Sequence, residues 1–461
     1  MVVERRAAAS LLRGLNRKGL PCIEIPPTQI SVLRSPSDFY AELLAGAAAA
    51  QRRIALASLY VGDGAREREL VGALQSAPAQ TDIHLLLDGS RMQRGGGLAL
   101  LAPLARRAGA RVSLFRPPSL VSHSWRAALP PLANEVLGVQ HAKACVFDDT
   151  VVLTGANLSA EYFERRQDRY VVIRDAPALA DVVCGVLAAV GARSTAYEPD
   201  PAAATKEHLG SAERKPLWPP PPADGVGEAQ ALASAVNAVV RAAADAHPPP
   251  AAGAAPPGGC WVLPAVQCAP AGLTTDADAT EWLLRRNTKL PLALSSPYLN
   301  PPAAYETAML AAARGGGAVE LACAAPQASG FWGAGGVRAL VPQVYSHLER
   351  QLARRAAALG AALRIRRYQR PGWTYHAKGL WLGAPPLLSV VGSSNFGERS
   401  VRRDLELSFT LVTTDANLRA ELQAELDALR DHAVDTDADD ATEHTPSLAA
   451  RAAAAAFRTF F

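Results

Sequence analysis

The sequence predicts an α/β molecule built as a pseudo-dimer: two similar halves, each a mixed sheet flanked by helices, meeting at one shared site. Three observations carry this reading. His141-Ala142-Lys143 runs through Asp148 to Gly155-Ala156-Asn157, and His376-Ala377-Lys378 runs to Gly392-Ser393-Ser394-Asn395. Each of these signatures closes a longer repeat. Within both copies, strand-like and helix-like stretches alternate in the same order.

Residues 1–30 form an N-terminal segment. Arg5, Arg6, Arg13, Arg17 and Lys18 stand against a single acid, Glu4, with Leu11, Leu12, Leu15 and Leu20 as an apolar side. An organelle-targeting segment and an ordinary surface helix both fit that pattern. The first half, 31–198, carries the apolar run Ile54-Ala-Leu-Ala-Ser-Leu-Tyr-Val-Gly62, then strand candidates at Ile83–Leu87 and Arg111–Phe115. Its signature follows, then a further strand at Tyr170–Ile173. Residues 199–259 are dense in Pro and Ala and read as a linker without a packed core, Glu228–Ala244 being its one helical stretch. The second half, 260–430, repeats the order with Leu292-Ala-Leu-Ser-Ser-Pro-Tyr-Leu-Asn300, Val319–Cys323, Leu363–Tyr368, the second signature and Leu405–Leu411. Ile54 to His141 is 87 residues and Leu292 to His376 is 84, so the copies keep step. The tail, 431–461, begins acidic and polar, turns Ala-rich and ends in Phe457, Phe460 and Phe461. A docking helix, a disordered end and a membrane-interface segment all suit it.

A length of 461 residues accommodates two or three domains. The net charge of +4 suits anionic substrates or an anionic membrane surface contacted peripherally, and does not by itself suggest nucleic acid. No uncharged apolar run reaches the length of a membrane span; the nearest, Pro177–Val190, contains Asp181. Six cysteines without CxxC or metal-ligand spacing point to a reducing compartment and no disulfide framework.

Nine His and six Lys predict about 0.1 His-x-Lys pairs by chance, so two in matching contexts call for a chemical reason. Residues i and i+2 on a strand point to one face, so each signature presents an imidazole beside an ammonium, followed by a turn that brings an Asn amide near. One imidazole is nucleophilic near neutral pH and attacks phosphorus; a second, on the far side, protonates the departing oxygen and deprotonates the incoming hydroxyl. Lys143, Lys378, Asn157 and Asn395 would surround the non-bridging oxygens. Such a double displacement needs no metal or cofactor. Asp168 lies eleven residues after Asn157 and Glu406 eleven after Asn395, which makes them candidates to orient the histidines, across the boundary between halves if need be. Arg91, after Asp88-Gly-Ser, and Ser394 are further candidates for phosphate contacts, as are Arg364, Arg366, Arg367 and Arg370. Phe331-Trp332 in a Gly-rich loop, and Trp125, are candidates for an acyl-chain surface. The second copy departs at Gly383, where the first has Asp148.

The pattern His-x-Lys-x4-Asp-x6-Gly-x-Asn, complete in the first half, resembles the signature of the phospholipase D superfamily. Within it, Gly155-Ala-Asn-Leu-Ser159, Tyr162-Phe163 and Arg166-Gln-Asp-Arg-Tyr170 resemble the eukaryotic phosphatidylglycerophosphate synthases, as do Arg34–Tyr40, Ala57-Ser-Leu-Tyr60 and Val112–Phe115. Tyr375-His-Ala-Lys-Gly379, Gly392-Ser-Ser-Asn-Phe396, Arg399-Ser400 and Arg403-Asp-Leu-Glu406 extend the likeness to the second half. That branch tends to lack the second Asp, so Gly383 fits it. The resemblance implies a phospholipase D-like fold and transfer of a phosphatidyl group from CDP-diacylglycerol to sn-glycerol 3-phosphate, at the inner membrane of mitochondria, on the way to cardiolipin. It implies His141, Lys143, Asp148, His376 and Lys378 as the catalytic set, with His141 as nucleophile, His376 as acid then base, and Asp148 bracing its motif. It says nothing of oligomeric state.

Rival readings are a phosphatidylserine synthase, cardiolipin synthase or phospholipid hydrolase of the same superfamily. A nuclease would call for a long basic stripe, which the modest charge hardly supports. A scaffold with a vestigial site would rest on Gly383 alone.

Overall fold

The computed structural model describes residues 2–118, 131–199, 225–251, 253, 255–286, 290–436, 446–456 and 458–460. Its apolar runs form two mixed sheets. In the first, β1 (Ile30–Leu33), β2 (Arg53–Ser58), β3 (Asp82–Asp88), β4 (Ala110–Phe115), β5 (Ala144–Phe147), β6 (Thr150–Thr154) and β7 (Tyr170–Ile173) lie in the spatial order β4-β3-β2-β5-β6-β7-β1. In the second, β8 (Cys260–Cys268), β9 (Leu292–Ser295), β10 (Val319–Ala324), β11 (Leu363–Tyr368), β12 (Gly379–Gly383), β13 (Pro386–Gly392) and β14 (Glu406–Thr413) lie in the order β11-β10-β9-β12-β13-β14-β8. The two orders are the same once β8 is set against β1 and each later strand against its counterpart. β2, β3 and β4 run parallel, as do β9, β10 and β11, and the remaining neighbours pair antiparallel. Even the edges match: Thr195–Ala196 adds to β4 and Ala433–Asp435 to β11, both antiparallel.

The inner strands read as continuous apolar runs because both of their faces are covered. Every residue of β13 and β14 is buried, whereas β10 alternates buried and half-buried. One apolar cluster joins the halves: Ala144, Val146, Leu153 and Val171 pack with Val262, Val391, Leu407 and Phe409. The segment read as a linker contributes to this core. Helix Gly225–Ala246 packs on helix Pro177–Gly191 through Leu232, Val236, Val240 and Ala243. Leu232, Val236 and Val240 recur at four-residue intervals, a helical stripe that its high Ala content hides from a composition-based reading.

The N-terminal segment belongs to the second sheet. Helix Val2–Asn16 buries Ala8, Ala9, Leu12 and Leu15 in a cluster with Trp261, Leu263, Leu388 and Val412, and Ile23–Glu24 pairs with β8. Of the tail, helix Leu448–Ala456 docks Ala450 and Ala454 on Val344 and Leu348 of helix Val341–Ala358, and Arg458 binds Asn300 and Pro301. Phe457 and Phe461 lie outside the described residues, as does Trp125. No helix among the described residues is long and apolar enough to cross a membrane.

Candidate active site

Each His-x-Lys signature stands in the segment that leads into a strand rather than within the strand. His141 and Lys143 precede β5; His376 and Lys378 fall between the short strand Thr374–Tyr375 and β12. Both lysines fold back onto the carbonyl two residues earlier, Lys143 Nζ donating to His141 O at 2.7 Å and Lys378 Nζ to His376 O. All four side chains are buried.

The halves are stitched together at these segments by two equivalent sets of backbone bonds. His141 N donates to Leu405 O at 2.8 Å and Leu405 N to Val139 O at 3.0 Å. In the mirrored set, His376 N donates to Gln167 O at 2.8 Å and Thr374 N to Arg165 O at 3.0 Å. The residue after each of these acceptors, Leu405 and Gln167, is an acid, so the stitching delivers each carboxylate to the imidazole of the other half. His141 Nδ1 lies 2.9 Å from Glu406 Oε2, and His376 Nδ1 lies 2.6 Å from Asp168 Oδ2.

The two pairs differ in their surroundings. Burial opposes the charge on Glu406, but the His141 ring, its hydrogen bond and the Lys143 ammonium outweigh it and hold the carboxyl well below the usual carboxylate range. Ser400 Oγ also donates to it at 2.7 Å. Burial pushes the His141 ring below its usual value in spite of Glu406, so the ring is neutral at working pH. His376 is driven much lower by burial, with Lys378, Arg166, Lys143 and His141 adding to it. Burial also brings Lys378 down to about 8 and Lys143 well below the usual lysine range.

The glycine of each signature permits this close approach. A Cβ on Gly155 would stand 2.7 Å from Asp168 Oδ1 and 2.9 Å from Gly392 O; one on Gly392 would stand 2.5 Å from Leu407 O. Asn157 is held on both sides, its Oδ1 accepting from Leu59 N at 3.3 Å and its Nδ2 donating to Tyr162 OH at 2.9 Å. Asn395 Oδ1 is buried without a partner among the described residues.

Several expected site residues serve elsewhere. Asp148 follows β5 at the end away from His141, about 20 Å along the chain at strand rise. Its carboxylate accepts from the backbone N–H groups of Gln51, Arg52 and Arg53 at 2.8–3.0 Å, bonds that brace the entrance to β2. Asp148 (φ 51°) and Gly383 (φ 99°) share the same left-handed turn, their N–H groups donating to Arg53 O and Pro291 O. Pro291 replaces Arg53 and has no N–H to give, so the second copy has lost a donor together with the acceptor. Ser394 Oγ is engaged by Phe396 N and by the buried Asp276. Arg91 lies over the Tyr60 ring, 3.9 Å from its centroid, on a loop anchored by Asp88. Arg364 and Arg366 pair with Asp435, Arg367 pairs with Glu349, and Arg370 covers Trp373; these interactions hold them to the outer edge of the second sheet.

Three residues beside His376 were not singled out for the site from the sequence. Tyr162 OH is 3.2 Å from His376 Nε2. Arg166 lies over the Tyr162 ring and bonds Thr374 Oγ1 at 2.9 Å. Tyr298 sits edge-on to the His376 ring, 6.2 Å between centroids, and touches Phe331, whose neighbour Trp332 is 58% exposed. A signal for Tyr162 existed: it stands five residues after Asn157, as the hydroxyl-bearing Ser400 stands five after Asn395.

No protein-family profile matches the chain. It is 32% identical to the human mitochondrial CDP-diacylglycerol–glycerol-3-phosphate 3-phosphatidyltransferase, the match covering 90% of this chain and 79% of that protein. It is 33% identical to the mouse protein of the same name, with the same coverage. The chain belongs to the CDP-diacylglycerol–glycerol-3-phosphate 3-phosphatidyltransferase family. A Dictyostelium discoideum protein named as a probable member of this phosphatidyltransferase family is 30% identical over 88% of the chain. Among solved structures, the phosphatidylserine synthase of Haemophilus influenzae superposes with a TM-score of 0.73 over 99% of this chain and all of its own, at 19% identity, which shows that the phosphatidyltransferase here shares that protein's fold.

Proposed function

We propose that this chain transfers a phosphatidyl group from CDP-diacylglycerol to sn-glycerol 3-phosphate, releasing CMP, by two displacements through a phosphatidyl-histidine. The observation that carries the mechanism is the crossed pairing of His141 with Glu406 and His376 with Asp168. A carboxylate on Nδ1 fixes the tautomer that leaves the Nε2 lone pair free. His141 Nε2 has no partner among the described residues and the ring is neutral, which suits it to attack. In the first step the anionic diphosphate, bound beside His376, restores its cationic form with a proton taken from solvent; the Nε2–phosphorus bond then forms, the bond from phosphorus to the CMP oxygen breaks, and His376 gives that proton to the departing oxygen. In the second step His376 takes the proton of the glycerol hydroxyl, whose oxygen displaces His141.

Lys143 and Lys378 meet the non-bridging oxygens, whose negative charge restores the ammonium forms that burial disfavours. Asn157 stands at the same turn, and rotation of the Asn395 amide would offer its NH2. Arg166, which lies over the Tyr162 ring beside His376, supplies a cation for a substrate phosphate. Peripheral contact with an anionic membrane surface, that of the mitochondrial inner membrane, places Trp332 at the lipid boundary. The mitochondrial names of the mammalian relatives support this location.

The decisive experiment is incubation with CDP-diacylglycerol labelled in its lipid phosphate, without acceptor. An acid-labile, base-stable adduct on His141 is expected, discharged by sn-glycerol 3-phosphate to phosphatidylglycerophosphate. Full transfer activity in His141→Ala would overturn the mechanism.

A further inference from the structure

The pseudo-twofold relation makes the two histidines equivalent in backbone and in carboxylate partner, yet their reactive nitrogens differ. His141 Nε2 is unpartnered among the described residues, while His376 Nε2 is met by Tyr162 OH at 3.2 Å. Lys378 Nζ also stands 3.4 Å from that nitrogen, and the phenol contact originates in one position of the repeat. Five residues after its signature Asn, the first half has Tyr162 and the second has Ser400. The long phenol reaches the far nitrogen of the opposite imidazole. The short Ser400 hydroxyl donates to Glu406 Oε1 at 2.7 Å, on the far side from the reactive nitrogen of His141, and accepts from Asn395 N at 3.1 Å.

The Asp168 carboxylate at Nδ1 favours the tautomer that carries its proton there, and the roles along this line follow from it. His376 Nδ1–H donates to Asp168, so neutral His376 offers a lone pair at Nε2. Asn157 Nδ2 donates to the phenol oxygen at 2.9 Å, which leaves the phenol proton to go to Nε2. The phenol itself stays protonated, because burial raises it far above neutrality. The ring is locked in place: it meets His376 edge-on at 4.9 Å and lies under the Arg166 guanidinium at 4.7 Å.

We propose that Tyr162 is the residue that divides the labour between the two histidines, its hydroxyl holding His376 Nε2 as the proton carrier and leaving His141 as the nucleophile. This rests on the transferase reading above. Nε2 serves one partner at a time, so the phenol holds the imidazole aligned between steps and yields the nitrogen to the CMP oxygen and then to the glycerol hydroxyl as each arrives. In the free enzyme the donated proton favours neutral His376 and acts alongside the groups that face the ring: Asp168 and Lys378 at Nδ1, with Arg166, Lys143, His141 and the Tyr298 phenol around it.

The test is the pH dependence of transfer in Tyr162→Phe, with full-length protein, CDP-diacylglycerol in mixed micelles and sn-glycerol 3-phosphate. Loss of one hydrogen bond to a reacting nitrogen should lower kcat about tenfold with KM for both substrates nearly unchanged. The pH limb that belongs to His376 should move upward by roughly half to one unit, since the donor that favoured the neutral ring is gone. Replacing Tyr162 with fluorinated tyrosines, which keep the ring and grade the acidity of the hydroxyl, should move the same limb in graded steps. A fall in kcat with an unmoved profile, or an unmoved 15N signature of His376 in folded Tyr162→Phe, would overturn the proposal in favour of a packing role. His376→Ala separates the two levels. If it retains transfer, the transferase reading of the site has failed; if it abolishes transfer while Tyr162→Phe behaves as wild type, only the role of Tyr162 has.

Discussion

Burial brings the Lys378 ammonium down to about 8, against an ordinary lysine value of 10.5, and Lys143 is driven down as well. Both must be charged to meet a phosphate. Their cationic fraction is full below the depressed value and is lost as pH rises through it, so kcat/KM should fall on the alkaline side at or below about pH 8. The limb in kcat should lie higher, because bound phosphate restores the charge. A pH–rate profile of Lys378→Arg, whose guanidinium stays charged, should lack the Lys378 part of that limb; an unchanged alkaline limb would contradict the assignment. At this scale the His, Lys, Asp168 and Glu406 pattern was legible in the sequence because strict spacing on extended backbone translates directly into position. Tyr162 and Arg166 were harder to read. They act on the other half's histidine, and a contact between residues 214 positions apart leaves no local periodicity.

Between elements, the three backbone bonds of Asp148 argue for a bracing role that substitution tests. Asp148→Gly should lower stability by about 1–2 kcal/mol through three uncapped N–H groups, partly offset because Gly tolerates the left-handed turn. Specific activity of the folded protein should stay within about twofold of wild type, as measured by thermal denaturation and transfer assays on the same preparation; a hundredfold loss of kcat would restore Asp148 to the chemistry. The second half already uses Gly383 at that turn. Several strands of each half, and their succession along the chain, were readable from apolar runs of similar spacing; the spatial order of the sheets was not. Helix Gly225–Ala246 was read only as an isolated stretch, since Ala-rich composition does not say which face meets a neighbour. The N-terminal helix was ambiguous for a related reason: its basic, leucine-striped pattern is shared by targeting segments and by docked helices, and only the apolar surface around Trp261 and Leu388 decides where it lies here.

Across the whole molecule, Arg169 ties the halves. It is buried to 1% exposure, forks onto Glu425 at 2.7 and 2.8 Å, bonds Val390 O and Ser389 Oγ, and lies over Trp381. Removing one partner of such a pair strands a buried charge. Arg169→Met should therefore cost about 3–5 kcal/mol, and Arg169→Met with Glu425→Leu should recover much of it. Equal melting temperatures for the single variant and wild type would show the pair to be dispensable. Arg169 adjoins Asp168, so the same bond that docks the halves also steadies the carboxylate behind His376. The crossed carboxylates have a consequence for inactivation. A perturbation that loosens docking while both sheets stay folded separates each imidazole from its acid, and it stops attack and proton transfer together. Loss of turnover should thus precede any loss of secondary structure, making catalysis a sensitive gauge of whether the two lobes remain seated on one another.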